Sequence, residues 1–141
     1  MSEATKALIH EITEEIWNGR HLVRIPEFFS EACVADYRPY APPRTGHDAI
    51  RGMVERAWIA FPDYHEELHE VLADGDQAAA RITISGTQLG QWGVLPPTGR
   101  HVEFDEIIVF QVQNGRVVHQ RGIADNLTAL RQLGVLPIPP S

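Results

Sequence analysis

The side chain of most chemical interest in this sequence is Glu106, a carboxylate within an apolar alternation. Residues 102–112 alternate between apolar and mostly polar types, which predicts a strand. Successive side chains of a strand point to opposite faces, so Glu106 shares a face with Phe104, Ile108 and Phe110. A carboxylate on an apolar face is costly unless it is paired, solvated or used. We therefore take Glu106 as the first candidate for an acid or base.

A structural role for Glu106 is the alternative to catalysis. In that case its carboxylate would be paired with Arg81, with Arg121 or with a helix end. Arg121 and His119 alternate with Gln120 along the returning strand, so they lie on the opposite face from Gln120 and are expected to be exposed.

The strand of Glu106 is followed by a turn, a second strand and a helix. Asn114-Gly115 between two alternating runs is a strong hairpin signal, because both central residues of the turn need a positive φ. Leucines at positions 127, 130 and 133 follow the helical period. Asp125 directly precedes this helix, which favours an N-cap role, with a catalytic role at the strand end as the alternative.

Composition limits the classes of protein that fit. A chain of 141 residues suits one domain, expected over residues 1–136, with a short tail at residues 137–141. The net charge of -7 disfavours nucleic acid and anionic membranes as partners. The lack of a long apolar run and of a basic leader predicts a cytoplasmic protein. Cys33 is the single cysteine, so no intrachain disulfide is expected, and its setting suits a small buried hydrophobe.

The remaining periodicities predict an α+β domain. Helices are predicted at residues 4–18, 21–31 and 45–61, and strands at residues 33–40 and 77–91. Residues 64–73 fit either a helix or a strand. This order predicts helices packed on one face of a curved, mostly antiparallel sheet.

The segment from His65 to His69 matches the zinc-binding pattern H-E-x-x-H. Two histidines four residues apart can share a metal only on a helix, because a strand separates them by about 13 Å. Pro62 before the segment and the Asp74-Gly75-Asp76 turn after it favour a strand with its polar residues toward solvent. We therefore expect no metal site.

Several phrases of the sequence together resemble the SnoaL-like polyketide cyclases. They are Phe61-Pro62-Asp63-Tyr64-His65, Asp74-Gly75-Asp76, Gly86-Thr87, Pro96-Pro97-Thr98-Gly99-Arg100, Asn114-Gly115-Arg116-Val117-Val118 and Leu130-Arg131-Gln132-Leu133-Gly134. The resemblance covers nearly the whole chain. It implies the nuclear-transport-factor-two-like fold, a cone-shaped α+β barrel around an apolar pocket. It also implies a homodimer or higher homo-oligomer formed through the outer sheet face, and catalysis by a carboxylate without metal or organic cofactor.

The resemblance places the family's catalytic acid at Gly122 and its strand histidine at Ile108. Both groups are therefore replaced in this chain. If these two positions face inward, the alternation also turns Phe104, Glu106 and Phe110 inward on one strand and Val118, Gln120 and Ala124 on the other. Glu106 then becomes the candidate general base, and Gln120 its polar partner, able to donate to a substrate carbonyl or to orient water.

Aromatic residues are the expected walls of the pocket. Tyr37, Tyr40, Trp58 and Trp92 are candidates beside Phe104, Ile108, Phe110 and Gly122, although aromatic residues also fill ordinary cores. The loop at residues 90–99 is expected to gate the pocket mouth.

The leading hypothesis is a cofactor-independent enzyme that cyclises or isomerises a small, largely apolar, oxygenated metabolite, in secondary metabolism. Activation of water by the same carboxylate, as in epoxide hydrolysis or hydration, is a second hypothesis, because this fold permits both chemistries. A non-catalytic module that binds a small molecule is the third.

Overall fold

The computed structural model describes residues 2–137, which form four α-helices and one six-stranded sheet. The helices are α1 (Ser2–Ile12), α2 (Ile25–Phe28), α3 (His47–Ala60) and α4 (Asn126–Gln132). The strands are β1 (Phe29–Asp36), β2 (Arg44–Thr45), β3 (His65–Asp74), β4 (Gln77–Thr87), β5 (His101–Gln113) and β6 (Arg116–Ala124). A π-helical turn at Thr13–Asn18 extends α1, and a 3₁₀ turn at Leu22–Arg24 leads into α2.

The sheet is curved, mostly antiparallel and open. Its strand order is β2-β1-β6-β5-β4-β3, and β1 pairs with β6 in parallel while the other neighbours are antiparallel. Side chains of β4 and β5 alternate strictly between buried and less buried positions. The buried side chains join those of α1, α2 and α3 in one core. This is the predicted α+β cone.

The hairpin of β5 and β6 forms as predicted, apart from one shift of register. Asn114 and Gly115 have φ values of 53° and 74°, as the two-residue turn requires. An irregularity after Gln111 pairs Val112 with Val117. It turns Val117 into the core, fully buried, in place of Val118, which was predicted to face inward. Gln120 and Gly122 face inward as predicted.

Several predicted element boundaries are wrong. The helix predicted at residues 21–31 ends at Phe28, because the chain turns extended at Phe29, with φ -121° and ψ 135°, and enters β1. The first strand accordingly begins at Phe29 and not at residue 33, and it ends at Asp36, whereas the prediction extended it to residue 40. The strand predicted at residues 77–91 ends at Thr87, where the chain leaves the ladder for the loop that leads to β5. Of the predicted tail, only residue 137 lies within the described residues.

The ambiguous segment at residues 64–73 is a strand, β3. In β3, His65 and His69 are exposed, and the His69 ring bonds Oγ1 of Thr83 at 2.6 Å. Within residues 2–137 no three His, Cys, Asp or Glu side chains are grouped to hold a metal. None of the helices there is long and apolar enough to cross a membrane.

Asp125 is the N-cap of α4. Its carboxylate accepts hydrogen bonds from the backbone N–H of Thr128 at 3.1 Å and from the Thr128 hydroxyl at 2.6 Å. These bonds lower the pKa of the Asp125 carboxyl. The contacts match the capping role that the sequence favoured.

We expect Asp125→Ala to lower the free energy of unfolding by about 0.5–2 kcal/mol, because it removes the acceptor for an unpaired helix N–H. Asp125→Asn keeps an acceptor and is the matched control, which should retain most of the stability. Urea denaturation of the three proteins measures both effects. Equal stability of the alanine variant and the wild type would contradict the capping role.

Candidate active site

A pocket of about 570 Å³ opens between the inner face of the sheet, α3 and the loops around residues 40 and 92. This volume lies within the range of small-molecule sites. Aromatic rings form part of its wall, since Trp92 lies 5.4 Å from Phe61 and 6.2 Å from Phe104 between ring centroids. Its lining residues are Trp17, Ala35, Tyr37, Tyr40, Ala41, Pro42, Arg44, Ala49, Met53, Arg56, Ala57, Ile59, Phe61, Tyr64, Ile84, Gln91, Trp92, Gly93, Phe104, Glu106, Ala124 and Asn126.

Glu106 is a buried carboxylate that lines the pocket, and its side chain has no protein partner within residues 2–137. The residue is 7% exposed, and no hydrogen bond or ion pair joins its carboxyl group to the part of the chain that the structure describes. Its proposed structural partners are engaged elsewhere: Arg81 bonds Glu70 at 3.0 Å, and Arg121 lies 3.6 Å from Asp36. Burial raises the pKa of Glu106 to about 7.

Glu66 is a second buried carboxyl group, and sequence reasoning missed it. The prediction placed the polar residues of this segment toward solvent, but Glu66 is only 4% exposed. The Tyr64 hydroxyl donates to its Oε2 at 2.6 Å. Burial, together with the charge of Glu106, raises the pKa of Glu66 to about 8. The available signal is that Glu66 shares a strand face with Tyr64 and alternates with His65 and Glu67, which are exposed.

Tyr37 and Gln120 form a polar pair beside Glu106. The Gln120 side chain, 2% exposed, donates from Nε2 to the Tyr37 hydroxyl oxygen at 2.8 Å, while its Oε1 has no partner within residues 2–137. Tyr37 lines the pocket, whereas Gln120 lies behind it. Burial and the charge of Glu106 raise the pKa of Tyr37 well above its ordinary value, so the hydroxyl keeps its proton. The predicted donor to substrate, Gln120, is thus engaged with Tyr37.

Gly122 leaves the space in which the Tyr37 ring and the Glu106 carboxylate pack. A Cβ atom at this residue would overlap the ring edge of Tyr37 and would lie 2.6 Å from Oε2 of Glu106. The Tyr37 ring and the Glu106 carboxylate are therefore neighbours on either side of one missing side chain. The volume at the position predicted to correspond to the family's acid is filled by a tyrosine ring from the loop after β1.

The structure brings five of the predicted site residues to the pocket: Glu106, Tyr37, Tyr40, Trp92 and Phe104. The others do not line it. Ile108 and Phe110 are buried in the core. Gly122 lies next to Tyr37 and Glu106 but does not line the pocket itself. Trp58 packs beneath the guanidinium of Arg20, whose carbon lies 4.7 Å from the ring centroid. Asp125 is engaged in its cap, and Cys33 is fully buried, with a thiol pKa raised to about 12.

The loop between β4 and β5 forms one side of the pocket mouth through Gln91, Trp92 and Gly93. Its base is held by Gln88, which is fully buried. The Gln88 carbonyl accepts from the Thr98 hydroxyl at 2.8 Å, and its amide donates to the backbone oxygen of Pro96 at 3.2 Å. The loop base is therefore fixed by one side chain, while the tip carries the lining residues.

An open α+β cone whose pocket contains a buried carboxylate places this chain among the cone-fold proteins that bind small molecules inside the sheet. The family profile of the SnoaL-like polyketide cyclases matches residues 7–133, so the chain belongs to that family. No curated protein gives a significant sequence match.

Solved structures agree with this assignment. AclR of Streptomyces galilaeus, a proposed hydroxylase, is 27% identical with a TM-score of 0.85, over 100% of this chain and 87% of that one. IdmH of Streptomyces antibioticus, a proposed polyketide cyclase, is 27% identical with a TM-score of 0.80, over 93% and 99%. A proposed SnoaL-like cyclase of Jannaschia sp. CCS1 shares the fold, at 17% identity and a TM-score of 0.87, over 96% and 95%.

We expect the protein to lose stability as the pH rises from about 5 to about 8. The pKa values of Glu106 and Glu66, about 7 and about 8, lie above the ordinary 4.5. The folded state therefore binds more protons than the unfolded chain in this range, and the free energy of unfolding falls by a few kcal/mol, at about 1.4 kcal/mol per unit of pKa difference.

The Glu66→Gln variant cannot ionise at this position, so its stability should decrease less over the same range. Urea denaturation at about pH 5.5 and 8.5 measures the difference. Glu67→Gln, at an exposed neighbour, is the control and should behave as the wild type. An unchanged pH dependence in the Glu66 variant would contradict the assignment.

We expect Gly122→Ala to cost about 1–3 kcal/mol of stability, because the new methyl group overlaps the Tyr37 ring and forces a shift. In a Tyr37→Ala background the ring is gone, and the same substitution should cost less. Thermal or urea unfolding of the four proteins closes this double-mutant cycle. An equal cost in both backgrounds would show that Tyr37 does not occupy this space.

Proposed function

We propose that this protein is an enzyme that uses Glu106 as general base on an acidic carbon of a small oxygenated metabolite, and that it cyclises or isomerises that metabolite without a cofactor. The unpaired, buried carboxylate in the pocket wall is the observation that carries the proposal. A carboxyl group with a pKa of about 7 is divided between its two protonation states near neutral pH. Such a group both takes and returns a proton efficiently.

The proposed step uses two groups that lie around Gly122. The Glu106 carboxylate takes a proton from a carbon next to a carbonyl, and the electron pair of the broken C–H bond moves onto the carbonyl oxygen. Tyr37 then donates a hydrogen bond to this enolate oxygen, since its hydroxyl accepts from Gln120 and keeps its own proton. In cyclisation the enolate carbon attacks a second carbonyl, the electron pair of that C=O bond moves to its oxygen, and this oxygen takes the proton back from Glu106. In isomerisation the enolate is conjugated with a C=C bond, and Glu106 returns the proton at the far carbon of the conjugated system.

The family assignment supports cyclisation, and IdmH, at 27% identity, is a proposed polyketide cyclase. AclR, also at 27% identity, is a proposed hydroxylase, which is a different class of reaction. A cytoplasmic location and a role in secondary metabolism stay predictions. Self-association through the outer sheet face is also a prediction, and four exposed apolar side chains lie there: Leu72, Ile107, Val109 and Ile123.

The proposal predicts exchange of an activated C–H proton that depends on Glu106. With 2-tetralone as probe in D₂O, proton NMR should show exchange at the carbon next to the carbonyl. Glu106→Gln keeps the side-chain shape and removes the base, so it should slow exchange by about 100-fold or more. The wild-type rate should rise with pH up to about 7 and then level off, because the ionised form of Glu106 is the active one.

Two variants serve as controls. Glu103→Gln changes an exposed carboxylate of the same strand, and Asp125→Asn keeps the helix cap, so both should exchange at the wild-type rate. Wild-type exchange in Glu106→Gln would make Glu106 structural. Tight uptake of 2-tetralone by the wild type with no exchange above buffer would instead support a binding module.

A further inference from the structure

The pocket mouth carries two arginines with no acidic partner. Arg44, on β2, and Arg56, on α3, both line the pocket. Both residues are exposed, and within residues 2–137 neither guanidinium makes a hydrogen bond or an ion pair, whereas those of Arg24, Arg38 and Arg81 contact carboxylates. Arg51 and Arg100 are also exposed, but neither of them lines the pocket. The two are also close enough to repel: burial, and then the charge of Arg44, lower the pKa of Arg56.

The local structure directs Arg56 toward the pocket mouth. Ala49, Met53, Arg56 and Ala57 follow the helical period along the pocket face of α3. These residues and Ile59, which also lines the pocket from α3, are uncharged apart from Arg56, so its guanidinium is the single charge that α3 contributes to this wall. Nη1 of Arg56 lies 3.1 Å from the point where a Cβ of Gly52 would stand, so the side chain folds back toward the start of the helix. That end of α3 directly follows β2, which carries Arg44.

The two positive charges line one pocket and have no counter-charge from the described residues, so both can attract an anion that enters it. They are cationic side chains in the pocket lining of a protein whose net charge is -7. Guanidinium groups suit carboxylate and phosphate oxygens because they offer several N–H donors in one plane.

We propose that Arg44 and Arg56 bind an oxyanion group of the substrate, a carboxylate or a phosphate ester, at the pocket mouth. The pair contacts the anionic end, while the reacting carbon lies deeper, against the buried Glu106. The substrate class is thus a largely apolar, carbonyl-bearing molecule with an anionic substituent at one end. This inference names the substrate class of the function proposed above and rests on that function, but its test measures binding alone.

The test compares three probes of matched shape: 2-naphthoate, 2-naphthyl phosphate and the neutral 2-naphthamide. Calorimetry or quenching of tryptophan fluorescence gives each dissociation constant, and Trp17 and Trp92 line the pocket. The wild type should bind at least one anion about fivefold or more tightly than the amide, and this preference should shrink between about 50 and 300 mM NaCl. Preference for one anion alone supports the proposal and identifies the oxyanion.

The Arg44→Gln/Arg56→Gln variant should lose the preference and still bind 2-naphthamide as the wild type does, which also shows that the pocket is intact. Arg51→Gln, at an exposed arginine of α3 outside the pocket lining, is the matched control and should keep it. If the double variant does not fold, the two single variants and the salt dependence of the wild type decide. Equal binding of all three probes by the wild type, or a preference that survives in the double variant, would overturn the proposal.

The test separates this inference from the proposed reaction. Glu106→Gln should keep the preference for anions, because the carboxylate is not part of the mouth. Failure of the exchange assay with intact anion preference would therefore refute the general base and leave the arginine pair standing. Loss of the preference with intact exchange would do the opposite.

Discussion

The site depends on the cost of ionising two carboxyl groups in an interior that cannot solvate both. Glu66 on β3 and Glu106 on β5 are both buried, with β4 between their strands, and burial raises the pKa of each. The two groups differ in their contacts. Glu66 accepts a hydrogen bond from Tyr64 and does not line the pocket, whereas Glu106 has no partner among the described residues and lines the pocket. Glu106 is therefore the carboxyl group that is placed to exchange a proton with a bound molecule.

Packing at Gly122 brings residues from three parts of the chain together in the candidate site. The missing side chain leaves a space, and the Tyr37 ring from the loop after β1 fills it. The polar groups of the site are therefore divided among β5, β6 and this loop. Gln120 supports the tyrosine from β6, and Glu106 lies beside it on β5. The site is thus centred on β5, where the apolar alternation first indicated it.

The sequence predicts the parts of this structure that depend on local pattern. The strand at residues 102–112 follows from its alternation, and the Asn114-Gly115 turn and the Asp125 cap follow from residue type next to a predicted element; the structure contains all three. The Tyr37–Gln120 bond joins residues 83 apart, and no local period encodes it. The buried position of Glu66 does not follow from its residue type, because a Glu among polar residues is ordinarily exposed; only its place on the same strand face as Tyr64 indicates it.

The Gln88 side chain fixes the base of the loop between β4 and β5, independently of the residues at the loop tip that line the pocket mouth. This buried amide holds the backbone near Pro96 and Thr98, so the path of the chain back into β5 does not depend on the residues at the loop tip. Gln91 and Gly93 are exposed, and they reach the pocket without taking part in the ladder between β4 and β5. Of the lining residues at the tip, Trp92 packs against Phe61 and Phe104 and Gly93 has a φ of 59°, so Gln91 is the position where a substitution is expected to change the pocket mouth at little cost in folding free energy. The loop is a natural place for evolution, or for a protein engineer, to change substrate preference.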